Sequence, residues 1–314
     1  MIGLAMSTIT LAHVSDLHLP FEPVLSPLQR LSKRQLSSWA WRRRRALHRT
    51  EILEALTADL RVQGADHIVV TGDIANFSLP EEFRRAAIWL QALAPSARIS
   101  LVPGNHDALV RVPEEEGLGR LAAWTRAEEG WPSIHCIGSL ALIGLNSARP
   151  TAPLLARGRI GAEQLSRLGR ILAAEREAGR MRVILLHHPV ADGAVSWRKA
   201  LADRAALREV LRREGAELVL HGHARDSRFD AIEGPQGPIP CLCVPSSSAL
   251  PNPKDEGARW HRLTLSCTGG SRRARVEVRR WSVAAQAFVP GGGYILCLPR
   301  RQATPVASQY VPHG

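Results

Sequence analysis

The sequence predicts an α/β fold with a sheet core, and three observations carry that prediction. Runs of β-formers alternate with helical stretches through the first two thirds of the 314 residues. Residues able to bind metals or move protons recur where those runs end. After residue 240 the pattern shifts to short alternating segments, which read as antiparallel strands. With 45% hydrophobic residues the chain can bury a sizeable core.

The first strand is expected over 9–14 (ITLAHV), ending at Ser15-Asp16-Leu17-His18. Residues 20–49 then break the pattern. Pro20, Pro23 and Pro27 precede the basic side chains of Arg30, Lys33, Arg34, Arg42, Arg43, Arg44, Arg45 and Arg49. Leu28, Leu31, Leu36, Trp39 and Trp41 are interleaved with them, and no acid follows Glu22 in this stretch. A helix is expected over 50–63, where Ile52, Leu53, Leu56 and Leu60 recur at helical spacing and Thr50 is the N-cap. The strand 67–71 (HIVVT) ends at Gly72-Asp73, and 80–93 is a helix with Pro80 first and Glu81 and Glu82 in its opening turn. A third strand, 99–102, stops at the Pro103-Gly104 turn, which is followed by an amide, an imidazole and a carboxylate side by side. Residues 117–131 read as helix, 140–145 as strand, 161–178 as helix, 181–186 as strand, 200–214 as helix and 217–220 as strand. The late strands are expected at 241–244, 260–265 and 274–281. One domain is expected over 1–282, with 283–314 a surface strand or loose tail rich in Gly and Pro.

The formal charge of +12 implies acidic partners: phosphate esters, nucleic acid or an anionic membrane face. Only three of the 41 basic residues are lysines (Lys33, Lys199, Lys254), so arginine, with its planar fork for phosphate, dominates. A GC-rich genome explains that bias equally well. Five cysteines without a CxxC pair read as reduced thiols in a cytoplasmic protein. Residues 1–5 are too short for a secretory signal, and no apolar run is long enough to span a bilayer. The expectation is a cytoplasmic chain, soluble or peripheral at the inner face of the membrane.

Asp16, His18, Asp73, Asn105, His187 and His223 all stand at the C-terminal ends of predicted strands. That edge is where open α/β sheets bind ligands. Singly, each reads as a turn residue or a packed histidine. Together, imidazoles, carboxylates and an amide suit divalent transition metals such as Mn, Fe, Ni or Zn, and the two oxygens of Asp73 can bridge two ions.

Five ordered motifs, Asp16-Leu17-His18, Gly72-Asp73, Gly104-Asn105-His106-Asp107, His187-His188-Pro189 and Gly222-His223-Ala224-Arg225, resemble those of the calcineurin-like metallophosphoesterases. The resemblance spans about residues 8–281. It implies a four-layer α/β/β/α sandwich of two mixed sheets, with the short late strands in the second sheet. It also implies two divalent metal ions, manganese foremost. Asp16, His18 and Asp73 would hold the first, and Asp73, Asn105, His187 and His223 the second. Two such ions, about 3.5–4 Å apart, activate a water and clamp an in-line transition state, here at a phosphodiester or pyrophosphate. His106 would protonate the leaving oxygen and Asp107 would orient its ring. His188 would support the site, meet substrate or simply pack. One departure stands out. The family's last motif ends in a histidine that completes the first site, and here Arg225 occupies the position. A guanidinium has no lone pair to give. The first site is then weaker, or takes water, His221 or Asp226 instead, or else Arg225 contacts a substrate phosphate.

Residues 20–49 follow the first metal motif directly, so they are expected to overhang the site. Tryptophan and leucine beside arginines resemble a membrane-surface element, and residues 28–49 would meet an anionic membrane. The plainer reading is a solvated basic loop with Trp39 or Trp41 folded onto the body. Within the family, the membrane reading points to enzymes similar to the UDP-2,3-diacylglucosamine pyrophosphohydrolases. The alternatives are a cyclic-nucleotide phosphodiesterase, a nuclease without a separate nucleic-acid-binding domain, and a phosphate-binding module with an impaired metal site.

Overall fold

Side-chain alternation along the first strand sets the layering. In β1 (Ile9–Val14), Leu11 points into one apolar cluster while Ala12 and Val14 point into another, and both faces are buried. The structure, a computed structural model, describes residues 8–252, 256–268 and 271–300. The chain continues through α1 (Pro27–Arg30), α2 (Lys33–Arg44), α3 (Thr50–Gln63), β2 (His67–Val70), α4 (Pro80–Leu93), β3 (Ile99–Leu101) and α5 (Ala122–Thr125). Then come β4 (Ser133–Ile137), β5 (Leu140–Gly144), α6 (Ala162–Glu177), β6 (Met181–Leu185), α7 (Arg204–Glu214) and β7 (Leu218–His221). The last strands are β8 (Arg228–Ile232), β9 (Ile239–Cys243), β10 (Arg259–Thr268), β11 (Ser271–Ser282) and β12 (Ala287–Leu298).

Two six-stranded mixed sheets result, ordered β12-β11-β10-β1-β2-β3 and β4-β5-β6-β7-β9-β8. Three apolar clusters separate four layers. One lies between the first sheet and α3 and α4, one between the sheets, and one between the second sheet and α6 and α7. In β6, for instance, Val183 and Leu185 face the other sheet while Ile184 faces the helices. The two sheets are also joined by charge. Glu217, just before β7, meets Arg182 of β6 at 2.9 Å and Arg272 of β11 at 2.6 Å, all three buried.

Several expectations need correction. Of the late strands expected in the second sheet, β9 lies there but β10 and β11 do not; with β12 they extend the first, because β10 pairs antiparallel with β1. β9 pairs parallel with β7 and, as expected of a late strand, antiparallel with β8. Residues 117–131 hold only a 3₁₀ turn at Leu118–Leu121 and the four-residue α5, which ends at Arg126 in the left-handed region. Arg49, not Thr50, caps α3, and it does so without a side-chain bond. The edge strands β4 and β8 were not anticipated. Residues 287–298, within the stretch expected as surface strand or tail, pair with β11; residues 301–314 lie outside the described residues.

Candidate metal centre

The loops after β1, β2, β3, β6 and β7 converge at one end of the two sheets, and backbone bonds stitch them together. Asp16 and His18 donate their N–H groups to the carbonyls of Gly72 and Asp73, both at 2.9 Å. Asp16, His18, Asp73, His223 and Arg225 all take φ between 40° and 70°, the left-handed region that non-glycine residues rarely occupy. Such strain persists only where the surroundings over-determine it. Glycine is required beside these residues. A Cβ on Gly104 would overlap the Asp73 carboxylate, and one on Gly222 would overlap Ser15 and Asp16.

Among the described residues two donor groups form, each with its ligand atoms within 4.8 Å of one another: His18, Asp73 and His106, and Asp73, His187 and His223. Asp73 belongs to both. The tautomers can be assigned, because a carbonyl only accepts. His187 Nδ1 lies 2.7 Å from the Thr71 carbonyl and His223 Nε2 3.1 Å from that of Lys199, so those nitrogens carry the protons. In the neutral rings, His187 Nε2 and His223 Nδ1 then present lone pairs to each other across 3.1 Å. The Asp73 Oδ2 atom stands 3.3 Å from the first of them. Lone pairs meeting in this way call for a positive charge among them. Burial alone would keep His187 neutral, yet the Asp73 charge draws a proton onto it and pushes its pKa up to about 10. Asn105 Oδ1, on the loop after β3, is buried with no hydrogen-bond partner among the described residues, as a group awaiting a ligand would be.

The other expected residues fall as follows. Asp16 is buried but stands outside both groups; its Oδ2 accepts from Ser15 Oγ at 2.8 Å and His223 N at 3.0 Å. His106 donates from Nδ1 to the Asn76 carbonyl at 2.9 Å and stands in the donor group of His18 and Asp73. Asp107 does not do the orienting expected of it, since its carboxylate accepts backbone N–H groups from Asp73, Ala75 and Gly104 at 2.8–2.9 Å. Its pKa rises to about 7 through burial and the adjacent Asp73 charge. His188 is not placed to meet substrate. It is fully buried, with Nδ1 bonded to Ser147 Oγ at 2.8 Å and Nε2 to the Ala156 carbonyl at 3.2 Å. Burial and the neighbouring His187 charge hold its pKa near 3. Arg225 is exposed on the bend after His223 and joins neither donor group.

Sequence reasoning missed three contributors. Ser246 and Ser248, beyond β9, donate to the Asp16 and Leu17 carbonyls at 2.7 and 2.5 Å and so hold the first motif in place. His48, in the basic insertion, sits beside His18 with ring centroids 4.8 Å apart. The insertion itself is two short helices. Trp41 is buried with Leu25, Phe77 and Leu79, whereas Trp39 is exposed. Lys33 reaches Thr151 Oγ1 and the Leu155 carbonyl, and Arg34 reaches the Phe77 and Ser78 carbonyls, so part of the basic stretch is structural. The side chains of Arg43 and Arg44 lie outside the described residues. Among the described residues, no helix is long and apolar enough to cross a membrane.

A two-sheet sandwich with joined donor groups at its strand ends is the architecture of a metal-dependent phosphoesterase. The sequence profile of the calcineurin-like phosphoesterases matches residues 9–224, and the chain belongs to that family. No curated protein sequence matches it significantly. Among solved structures it is similar to a dimetal phosphatase from Danio rerio, with 14% identity, a TM-score of 0.59, and coverage of 90% of this chain and 98% of that one. It is also similar to the Haemophilus influenzae NAD nucleotidase, with 12% identity, a TM-score of 0.48, and coverage of 92% and 54%. A 5′-nucleotidase precursor from Thermus thermophilus is similar at 14% identity and a TM-score of 0.44, with coverage of 93% and 55%.

Proposed function

We propose that the protein hydrolyses phosphodiester or pyrophosphate bonds at the donor set around Asp73. The observation that carries this reading is the Asp73 carboxylate shared by both donor groups, with His187 Nε2 3.3 Å from its Oδ2 and 3.1 Å from His223 Nδ1. Divalent ions, manganese first and iron, nickel or zinc next, lower the pKa of a water towards neutrality and polarise phosphoryl oxygens when bound. Asp16, His18 and Asp73 would hold one ion; Asp73, Asn105, His187 and His223 would hold the other. His106 protonates the leaving oxygen from Nε2, its ring kept in register by the Asn76 carbonyl. Asp107 keeps the loops after β2 and β3, which carry Asp73 and Asn105, together. Arg225 meets a phosphate oxygen of the substrate with its exposed guanidinium.

The substrate we favour is amphiphilic, in the manner of UDP-2,3-diacylglucosamine. Leu28 and Leu31 are 81% and 86% exposed and Trp39 is 55% exposed, with Arg30, Arg42 and Arg45 also at the surface. Such a face suits acyl chains and an anionic membrane surface. A cyclic nucleotide is the second reading, favoured by the anchoring of the insertion through Lys33, Arg34 and Trp41, which suits a fixed wall more than a membrane anchor. Full-length protein, stripped of metal and reloaded with Mn²⁺, should cleave bis-p-nitrophenyl phosphate and then discriminate among a nucleotide-diphospho-lipid, cyclic nucleotides and single-stranded DNA. Preference for a cyclic nucleotide would displace the amphiphile reading. Tight metal binding without cleavage of any of them would leave a phosphate-binding module.

A further inference from the structure

We infer that the turn carrying Trp197 and Arg198 is a platform for the nucleobase of the substrate. The inference rests on the phosphoester reading above, where both substrates weighed, a nucleotide-diphospho-lipid and a cyclic nucleotide, carry a base near the bond to be cut. The turn lies in none of the five motifs. The Lys199 N–H donates to the Ser196 carbonyl at 2.8 Å, which puts Trp197 and Arg198 at the two corners. The Lys199 carbonyl in turn accepts from His223 Nε2 at 3.1 Å. Two residues span at most about 7 Å, so the backbone of Trp197 stands close beside a residue of the metal centre.

The turn is tied down on several sides. The Arg198 carbonyl accepts the Ala156 N–H at 2.9 Å, and Gly158 bridges to Leu201 just beyond. The Ala156 carbonyl accepts from His188 Nε2 at 3.2 Å, and Lys33 of the insertion donates to the neighbouring Leu155 carbonyl at 2.6 Å. On this fixed loop Trp197 is nevertheless 64% exposed, so its ring does not serve the core. The Arg198 guanidinium carbon lies 5.6 Å from the ring centroid. A large flat ring on a rigid turn loses little freedom when a ligand stacks on it, and a base gains about 5- to 100-fold in affinity from such a contact. Arg198 is exposed beside the ring, and Arg225 is exposed two residues after His223, so both segments that meet at His223 carry a guanidinium for phosphate. One ring next to a charge suits a flat base better than an acyl chain. The broader apolar face lies on the insertion, at Leu28 and Leu31.

The test reads binding rather than turnover. Uridine 5′-monophosphate, adenosine 5′-monophosphate and ribose 5-phosphate, which lacks a base, are titrated by calorimetry into full-length protein reloaded with Mn²⁺. The mononucleotides should bind at least about 5-fold more tightly than ribose 5-phosphate. Trp197→Ala should erase that margin without changing the affinity for ribose 5-phosphate. Trp197→Phe should restore most of it, and Trp197→Leu, apolar but without a π face, should not. Equal affinities for the three probes in the wild type, or a margin that survives Trp197→Ala, would overturn the platform. So would a Trp197→Ala variant that weakens dodecyl phosphate but not the mononucleotides, for the ring would then serve an acyl chain. UDP-N-acetylglucosamine, cyclic AMP and an oligothymidylate, titrated in parallel, identify the source of the base: the one that loses most affinity in Trp197→Ala names it, and loss in none refutes the inference. Base-dependent binding without cleavage of bis-p-nitrophenyl phosphate would sink the hydrolase reading and leave the platform standing.

Discussion

Replacing Glu217 by alanine should be among the most damaging single changes outside the metal centre. The Glu217 carboxylate accepts from the Arg182 backbone N–H at 2.5 Å, from Arg182 Nη2 at 2.9 Å and from Arg272 Nη1 at 2.6 Å. Its removal strands two buried guanidinium groups, one from each sheet. Breaking a buried ion pair costs roughly 3–5 kcal/mol, and the orphaned backbone N–H adds about 1 kcal/mol. Glu217→Ala should therefore lose roughly 4–6 kcal/mol, a large part of the roughly 5–15 kcal/mol typical of a folded protein. Arg272→Met leaves the Arg182–Glu217 pair intact and should cost only about 1–3 kcal/mol. Urea unfolding followed by circular dichroism measures both. The clamp also lies at the far end of the sheets from the site. Arg182 precedes His187 by five residues of extended chain, about 16 Å. Saturating Mn²⁺ at 100 times its dissociation constant adds about 2.7 kcal/mol, and sites so far apart should add within about 0.5 kcal/mol. Equal costs for Glu217→Ala and Arg272→Met, or a lost metal increment in either, would refute this account.

Acid should unfold the protein through histidines buried neutral. Burial, then neighbouring His135 and Arg126, lowers the His67 pKa to about 3, and burial with Arg259 lowers that of His261 to about 4. The unfolded chain binds these protons first, so stability is full above about pH 6.5 and falls as pH drops towards 4 and 3; at pH 5 the pair has lost about 4 kcal/mol, order of magnitude. A stability that is level from pH 7.5 to 5, or a His67→Gln/His261→Gln double variant with the wild-type slope, contradicts this. Gly104→Ala forces a Cβ onto the Asp73 carboxylate and should lower kcat about 10²-fold while costing about 1–3 kcal/mol; unchanged Mn²⁺ affinity and turnover would show that Asp73 is free to move. Trp41→Ala should cost about 3–5 kcal/mol in urea unfolding, whereas exposed Trp39→Ala stays within about 0.5 kcal/mol; equal costs would mean the packing of the insertion is misread.

Much of this architecture was legible because alternation and strand-end chemistry are local. The bounds of β1, α3 and α4 follow from hydrophobic period, and the ends of β1, β2, β3, β6 and β7 carry the residues that meet in space. What escaped depends on partners distant in sequence. Nothing local tells β10 to pair with β1, far earlier in the chain (Ile9 against Leu265, His13 against His261), instead of extending the other sheet. His48 looks like one more residue in a basic run until Trp41 and Ser248 close around it. Trp39 and Trp41 are two apart and indistinguishable by composition, yet one is exposed and the other is core. His188 read as a site residue by adjacency to His187, but neighbouring residues leaving a strand end point in different directions, and its ring is sealed beneath the site.

Asp107 shows why the strand-end motifs come as a set. A carboxylate next to His106 invites the reading that it steers the imidazole, but its oxygens are taken up by three backbone N–H groups from two loops. The carbonyl of Asn76 steers the ring instead. Asp73 Oδ1 in turn accepts the His106 N–H at 2.7 Å, so each loop supplies a carboxylate that holds the other's backbone. Gly104 lets the two approach without a Cβ between them. The aspartate of one motif, the glycine and the aspartate of the next thus form a reciprocal clasp, and Asp73 can serve both donor groups because that clasp fixes where its second oxygen points.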